Sequence, residues 1–209
     1  IGLYFCDRRY SPQAIDIIGA KAAALTHGHE LGYIPAAMLV HIISRICEYG
    51  DTVLEAVRDA MRVIPTIFPK AEHMNELLAL IQKSIFLSVQ NVEVPVAIRQ
   101  LGQGWVAEET LAIAVYCALR YSDDFEKGIT AAVNHDGDSD STGAVTGNIL
   151  GAALGFEAIP QKYLDKLELK DIIIEIAEDL YRDCRITEYG PGDNLWESKY
   201  IEMSYSGKR

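Results

Sequence analysis

The sequence predicts an all-α protein: one compact multi-helix domain over residues 1–185 and an irregular tail over 186–209. Three features carry that expectation. Apolar residues recur at spacings of three and four in segment after segment, the period of a helix with one buried face. Helix starts are marked by Ser11-Pro12 and by Thr52 with Glu55 three residues later. No period-two alternation lasts long enough to make a strand.

Taken in order, Ser11 caps a first helix with Pro12 at its first position, and Ile15, Ile18, Ala22 and Leu25 supply its apolar face. It ends at Thr26-His27-Gly28-His29. Residues 32–49 form a second helix, with Ala36, Leu39, Ile43 and Ile46 inward and His41 in a structural role. The Thr52/Glu55 capping box opens a third helix that reaches Ile64, and residues 65–69 link it onward between two prolines. A fourth helix covers residues 70–87, with His73 exposed near its start. A short helix over 95–101 stops at Gly102. Residues 106–121 are apolar nearly all round, which marks a central helix. Ser122 or Asp123 caps a helix over 125–133, and a last helix runs over 171–181.

Composition narrows the function classes. A chain of 209 residues with 49% apolar and 23% charged residues can bury a sizeable core. A net charge of −11 opposes binding to a nucleic-acid backbone. The uninterrupted apolar runs fall short of the ~20 residues of a membrane span. Cys6, Cys47, Cys117 and Cys184 show no metal or disulfide spacing, which suits a reducing cytoplasm.

The chemistry concentrates in AAVNHDGDSDSTGAVTGNILGAALG, residues 131–155. Asp136, Asp138 and Asp140 alternate in a loop, and Ser141 and Thr142 follow. Neighbouring carboxylates repel unless a cation or water separates them. In an extended loop alternate side chains share a side, so Asp138 and Asp140 aim at one ion and Ser141 adds a hydroxyl. An all-oxygen set suits magnesium, manganese or calcium rather than zinc. Ser141 or Thr142 stands at the N-cap position. Gly143, Gly147, Gly151 and Gly155, four apart, form a flat face for close helix packing. A calcium-binding helix–loop–helix register from Asp136 fails, because its sixth and twelfth positions hold Ser141 and Gly147. The D-x-D-x-T pattern of haloacid-dehalogenase-type phosphatases matches Asp138, Asp140 and Thr142, but it requires a preceding strand that is absent here.

NHDGDSDSTGAVTGNILGAALG resembles the C-terminal metal motif of the ADP-ribosylglycohydrolase family, and AALTHGHELGYIPAAMLVHII and LGQGWVAEETLAIAVYCAL resemble two upstream family segments. The resemblance implies an all-α fold. It also implies a hydrolase that cleaves the anomeric N- or O-glycosidic bond of ADP-ribose on a protein side chain or small molecule. Two magnesium or manganese ions are implied, with Asp138, Asp140 and Ser141 as one set of ligands. His27, Asn134, His135, Gly137 and Thr142 are the implied substrate-binding residues. The family's upstream Asp-Asp-Thr ligands and its acid–base carboxylate have no counterpart here. The catalytic group is therefore expected in a segment that precedes this sequence, with this chain alone a poor catalyst. A non-catalytic ADP-ribose-binding module, or a phosphatase with Asp138 as nucleophile, are the alternatives. Glu108 and Glu109 read as a favourable acidic first turn, with one of them within reach of a cleft.

Overall fold

A computed structural model describes residues 1–6, 10–182 and 197–202 of the 209-residue chain. It is helical throughout, and the described residues contain no strand. The helices are α1 (Gly2–Phe5), α2 (Pro12–Ala24), α3 (Glu30–Tyr49), α4 (Val53–Ile67), α5 (Met74–Ser88), α6 (Val94–Leu101), α7 (Ala107–Arg120), α8 (Phe125–Val133), α9 (Ser139–Leu154), α10 (Gln161–Leu164) and α11 (Lys170–Arg182).

Local chemistry sets most of the boundaries. Ser11 accepts the Ala14 amide, and Thr52 and Glu55 close a reciprocal capping box. Gly50 ends α3 in a left-handed conformation open to glycine at low cost. Non-local packing moves the others. α4 runs past Pro65 to Ile67, because Ile64 is fully buried and Ile67 and Phe68 pack on the core; the expected linker begins later. Asp124, not Ser122 or Asp123, caps α8 by accepting the Lys127 amide at 2.9 Å.

α7 is the central helix, as its all-round apolarity predicts. Every residue from Thr110 to Ala118 is buried. It packs against α3, α5, α8 and α9. α3 is the one described helix with the length and hydropathy of a membrane span, but its buried positions from Leu31 to Ile46 belong to the core. The inner face of α2 differs from expectation. Ile15, Asp16, Gly19 and Ala20 are buried, whereas Leu25 is 86% exposed. Asp16 turns inward because His41 of α3 meets it at 2.8 Å, with Asp59 of α4 on the other ring nitrogen at 3.0 Å. Burial disfavours charge on His41, but the two carboxylates outweigh burial and hold its pKa above the ordinary 6.5. His73 is part-buried rather than exposed, since its amide and ring both meet Glu30.

The chain forms two compact units, residues 1–160 and 161–209, a division earlier than the boundary at 185 drawn from sequence. The second contains α10, α11 and a helical turn at Glu197–Ile201, where Lys199 pairs with Glu175 at 2.7 Å and with Asp179. The rest of the expected tail lies outside the described residues.

Candidate functional site

A cleft of about 730 Å³ opens in the first unit. The first turns of three helices meet there: His29, Leu31 and Gly32 at α3, Val106 to Glu108 at α7, and Asp138 with Ser141 at α9. A helix start presents unpaired amides and the positive end of the helix dipole, so three together favour an anion. Its apolar lining includes Pro35, Ala36, Leu39, Leu111 and Val145, with Trp105 at the side. The indole is 67% exposed and its Nε1 donates to Gln103 Oε1 at 3.1 Å.

The aspartate loop is held from behind. The Asp138 amide donates to the Gln103 carbonyl at 2.8 Å, and the Asp138 carbonyl accepts the Thr142 amide at 3.2 Å. This second bond starts the helical ladder early. Asp138 is therefore the N-cap residue and α9 begins at Ser139, ahead of the expected cap at Ser141 or Thr142. Asp140 sits in the first helical turn, so alternation along an extended strand does not relate it to Asp138. The two carboxyls still lie within reach of one another. The Asp138 carboxyl is held below its usual range by hydrogen bonding that favours its charged form, first from the Asp140 side chain and then from the Ser141 side chain.

His135 and Thr142 form the brace of this loop. The Gly137 amide donates to His135 Nδ1 at 3.1 Å, so the ring proton sits on Nε2 and points to Thr142 Oγ1 at 2.9 Å. Thr142, fully buried, donates its hydroxyl hydrogen bond to the Ala132 carbonyl at 2.7 Å. Gly137 is required by contact: a Cβ there would lie 1.8 Å from the Gln103 carbonyl oxygen. Gly104, at φ +81°, packs against Thr142 from the other side. The glycine ladder is close-packed only at its start. A Cβ on Gly143 would press on Val133, one on Gly147 would make ordinary contact with Ile129, and Gly151 and Gly155 face open space. α8 and α9 approach instead through Leu150 seated on Gly128.

Of the residues expected at the site, His27, Asp138 and Ser141 line the cleft. His27 Nδ1 lies 2.8 Å from the Thr26 hydroxyl, which leaves Nε2 as the edge for a ligand. Gly32 makes room for this ring, since a Cβ there would meet the His27 Cβ at 2.8 Å. Asp140 is exposed beside Asp138. Gly137, His135 and Thr142 stand behind the wall as its supports. Asn134 donates to the Thr130 carbonyl and lines a different cavity, with Lys127 and Tyr121.

Sequence reasoning missed His29, which caps α3 and lines the cleft, and did not separate Glu108 from Glu109. Glu109 is consumed by the turn before α7, accepting the Gln103 and Gly104 amides at 2.9 and 3.0 Å. Glu108 faces the cleft. Burial raises its pKa, and Glu109 and Glu76 add to the rise against the opposing pull of its own amide and His29. Among the described residues no three His, Cys, Asp or Glu side chains gather into one metal-ligand set. Asp138, Asp140 and Ser141 nevertheless suit magnesium or manganese in kind: hard oxygens, two of them carboxylate, as one side of a hydrated ion.

An all-helical domain with an oxygen-rich corner and three helix starts in one cleft defines the class. The ADP-ribosylglycohydrolase family model matches residues 1–189, and the chain belongs to that family. It is 40% identical over 73 residues to an ADP-ribosylarginine hydrolase of Serratia proteamaculans, covering 35% of this chain and 20% of the relative. It is 24% identical over 199 residues to an ADP-ribosylhydrolase of Bos taurus, covering 82% and 53%. It is 41% identical over 49 residues to the ADP-ribosyl-[dinitrogen reductase] glycohydrolase of Rhodospirillum rubrum, covering 23% and 17%. The chain thus spans about half or less of the length of these curated relatives.

Proposed function

We propose that this chain forms one wall of the ADP-ribose site of a metal-dependent hydrolase. The enzyme would release ADP-ribose from a modified protein side chain or small molecule by cleaving the bond at the anomeric carbon. The observation that carries the reading is the meeting of three helix starts, the Asp138–Ser141 corner and His27 in one cleft of a chain from this family. The helix starts and His27 suit the diphosphate. The apolar lining and the exposed Trp105 indole suit the flat, less polar parts of the ligand.

Asp138, Asp140 and Ser141 would hold magnesium or manganese, which supplies Lewis acidity toward the ribose oxygens and a more acidic bound water. The chain's own contribution is positional. The Gln103–Asp138 bond and the His135–Thr142 brace keep Asp138 at the cleft before ligand arrives, with Asp140 exposed in the next turn. Asp138 stays ionised to low pH and so remains an acceptor-only oxygen donor.

A second reading is ADP-ribose binding without turnover. It is favoured by the described residues assembling no group of three His, Cys, Asp or Glu side chains. Calorimetric titration of ADP-ribose in magnesium and in EDTA tests both. Binding that requires magnesium and is lost in D138N supports the site. Release of ADP-ribose from a modified peptide, assayed with the full natural protein, then separates hydrolase from binder. Absence of binding in either buffer contradicts both readings.

A further inference from the structure

Glu108 is the one carboxylate of the acidic first turn of α7 that the fold leaves without a structural task. Glu109 beside it is bonded to two amides of the preceding turn, whereas Glu108 lines the cleft together with His27, His29, Asp138 and Ser141. A carboxylate in this position works against the cleft's other features. Three helix starts draw an anion in, and an ionised Glu108 would repel it. The conflict disappears when the carboxyl carries its proton, because it then donates a hydrogen bond where it had repelled.

We propose that Glu108 contacts the diphosphate of bound ADP-ribose as a protonated hydrogen-bond donor, so that the cleft binds its ligand more tightly as pH falls. The inference rests on the ADP-ribose reading given above. The surroundings support it from every side. Glu109 on the same helix and Glu76 on α5 push the Glu108 proton on, the apolar cleft lining withholds solvent, and His29 ahead of α3 opposes them. His27 and Asp138 share the cleft.

Linkage gives the sign. Ligand that needs the proton raises the Glu108 pKa in the complex. Affinity is full below the free-state pKa and falls as pH rises, by up to about tenfold per pH unit, until the complex itself loses the proton. Glu108→Gln is a permanent donor of nearly the same shape. It is expected to bind ADP-ribose about tenfold tighter than the unmodified chain at pH 8, with the gap closing as pH falls. Glu108→Ala removes the repulsion without the donor and is expected to bind less tightly than Glu108→Gln at pH 5 and at pH 8.

The experiment is calorimetric titration of ADP-ribose in magnesium chloride from pH 5 to 8, with a melting curve for each variant. Tighter binding of Glu108→Gln at pH 8 than of both the unmodified chain and Glu108→Ala supports the proposal, because relief of repulsion alone would lift both variants equally. Equal or weaker binding of a folded Glu108→Gln at pH 8 overturns it and leaves the ADP-ribose reading intact. Absence of ADP-ribose binding by the unmodified chain and by Glu108→Gln at every pH overturns both.

Discussion

Gly137→Ala tests whether the aspartate loop is held by backbone contact. The new Cβ would stand 1.8 Å from the Gln103 carbonyl oxygen, 2.6 Å from its carbon and 2.8 Å from its Cα. All three are backbone atoms, so no side chain can rotate away. Reaching the 3.4 Å of ordinary contact requires the loop to retreat by roughly 1.6 Å, the difference between the two distances. That movement breaks the 2.8 Å bond from the Asp138 amide to the same carbonyl. Overpacking costs about 1–3 kcal/mol and the lost hydrogen bond about 1 kcal/mol, together about 2–4 kcal/mol. For a chain of this size the midpoint of thermal unfolding should fall by about 5–15 °C. Amide exchange at Asp138 should be slow in the unmodified chain, where the amide is bonded, and fast in the variant. A variant that melts within about 1 °C of the unmodified chain and keeps the Asp138 amide protected would refute the reasoning.

Other perturbations follow from the same geometry. His41→Ala strands Asp16, whose Oδ1 already lacks a partner, and should destabilise by about 3–5 kcal/mol in denaturant titration. His41 has its pKa raised in the fold, so its contribution is full below pH 6.5 and declines as pH rises through the folded-state value; His41→Gln should flatten that decline. Gly151→Ala places a methyl in open space within α9 and should stabilise by about 0.5–1 kcal/mol, whereas close packing along the whole ladder would make it destabilising. Cys117 is fully buried and its thiol is pushed up to about 12 by burial, so it should resist alkylation at pH 8 until the chain unfolds, as peptide mapping would show.

What the sequence made legible was local. Ser11-Pro12, the Thr52/Glu55 box and Gly102 each act on neighbouring amides, and the structure puts helix ends where they predict. The misses are non-local. Ser141 and Thr142 are good caps by type, but α9 starts earlier, where the Asp138 carbonyl accepts the Thr142 amide while the Asp138 amide is held by Gln103. Leu25 fits the apolar spacing of α2 and lies outside, because α2 is turned by the meeting of Asp16 with His41, 25 residues away. The aspartate motif stood out because carboxylates at that density need a reason to coexist. Its other wall did not stand out by spacing: His27 entered through the family resemblance, and His29 and Glu108 are ordinary cap and first-turn residues until folding brings three helix starts together. Glu108 and Glu109 are adjacent and chemically alike, and only the path of the turn through Gln103 and Gly104 gives them different tasks.

The central claim is that the Asp138 loop and the His27 side of the cleft together receive ADP-ribose beside a divalent ion. Crystals grown with ADP-ribose and manganese, with data collected at the manganese absorption edge, test it most directly. The account predicts an anomalous peak at coordination distance from Asp138, Asp140 and Ser141, with the diphosphate against the first turns of α3 and α7. Manganese at another site, or ADP-ribose bound outside this cleft, would contradict it.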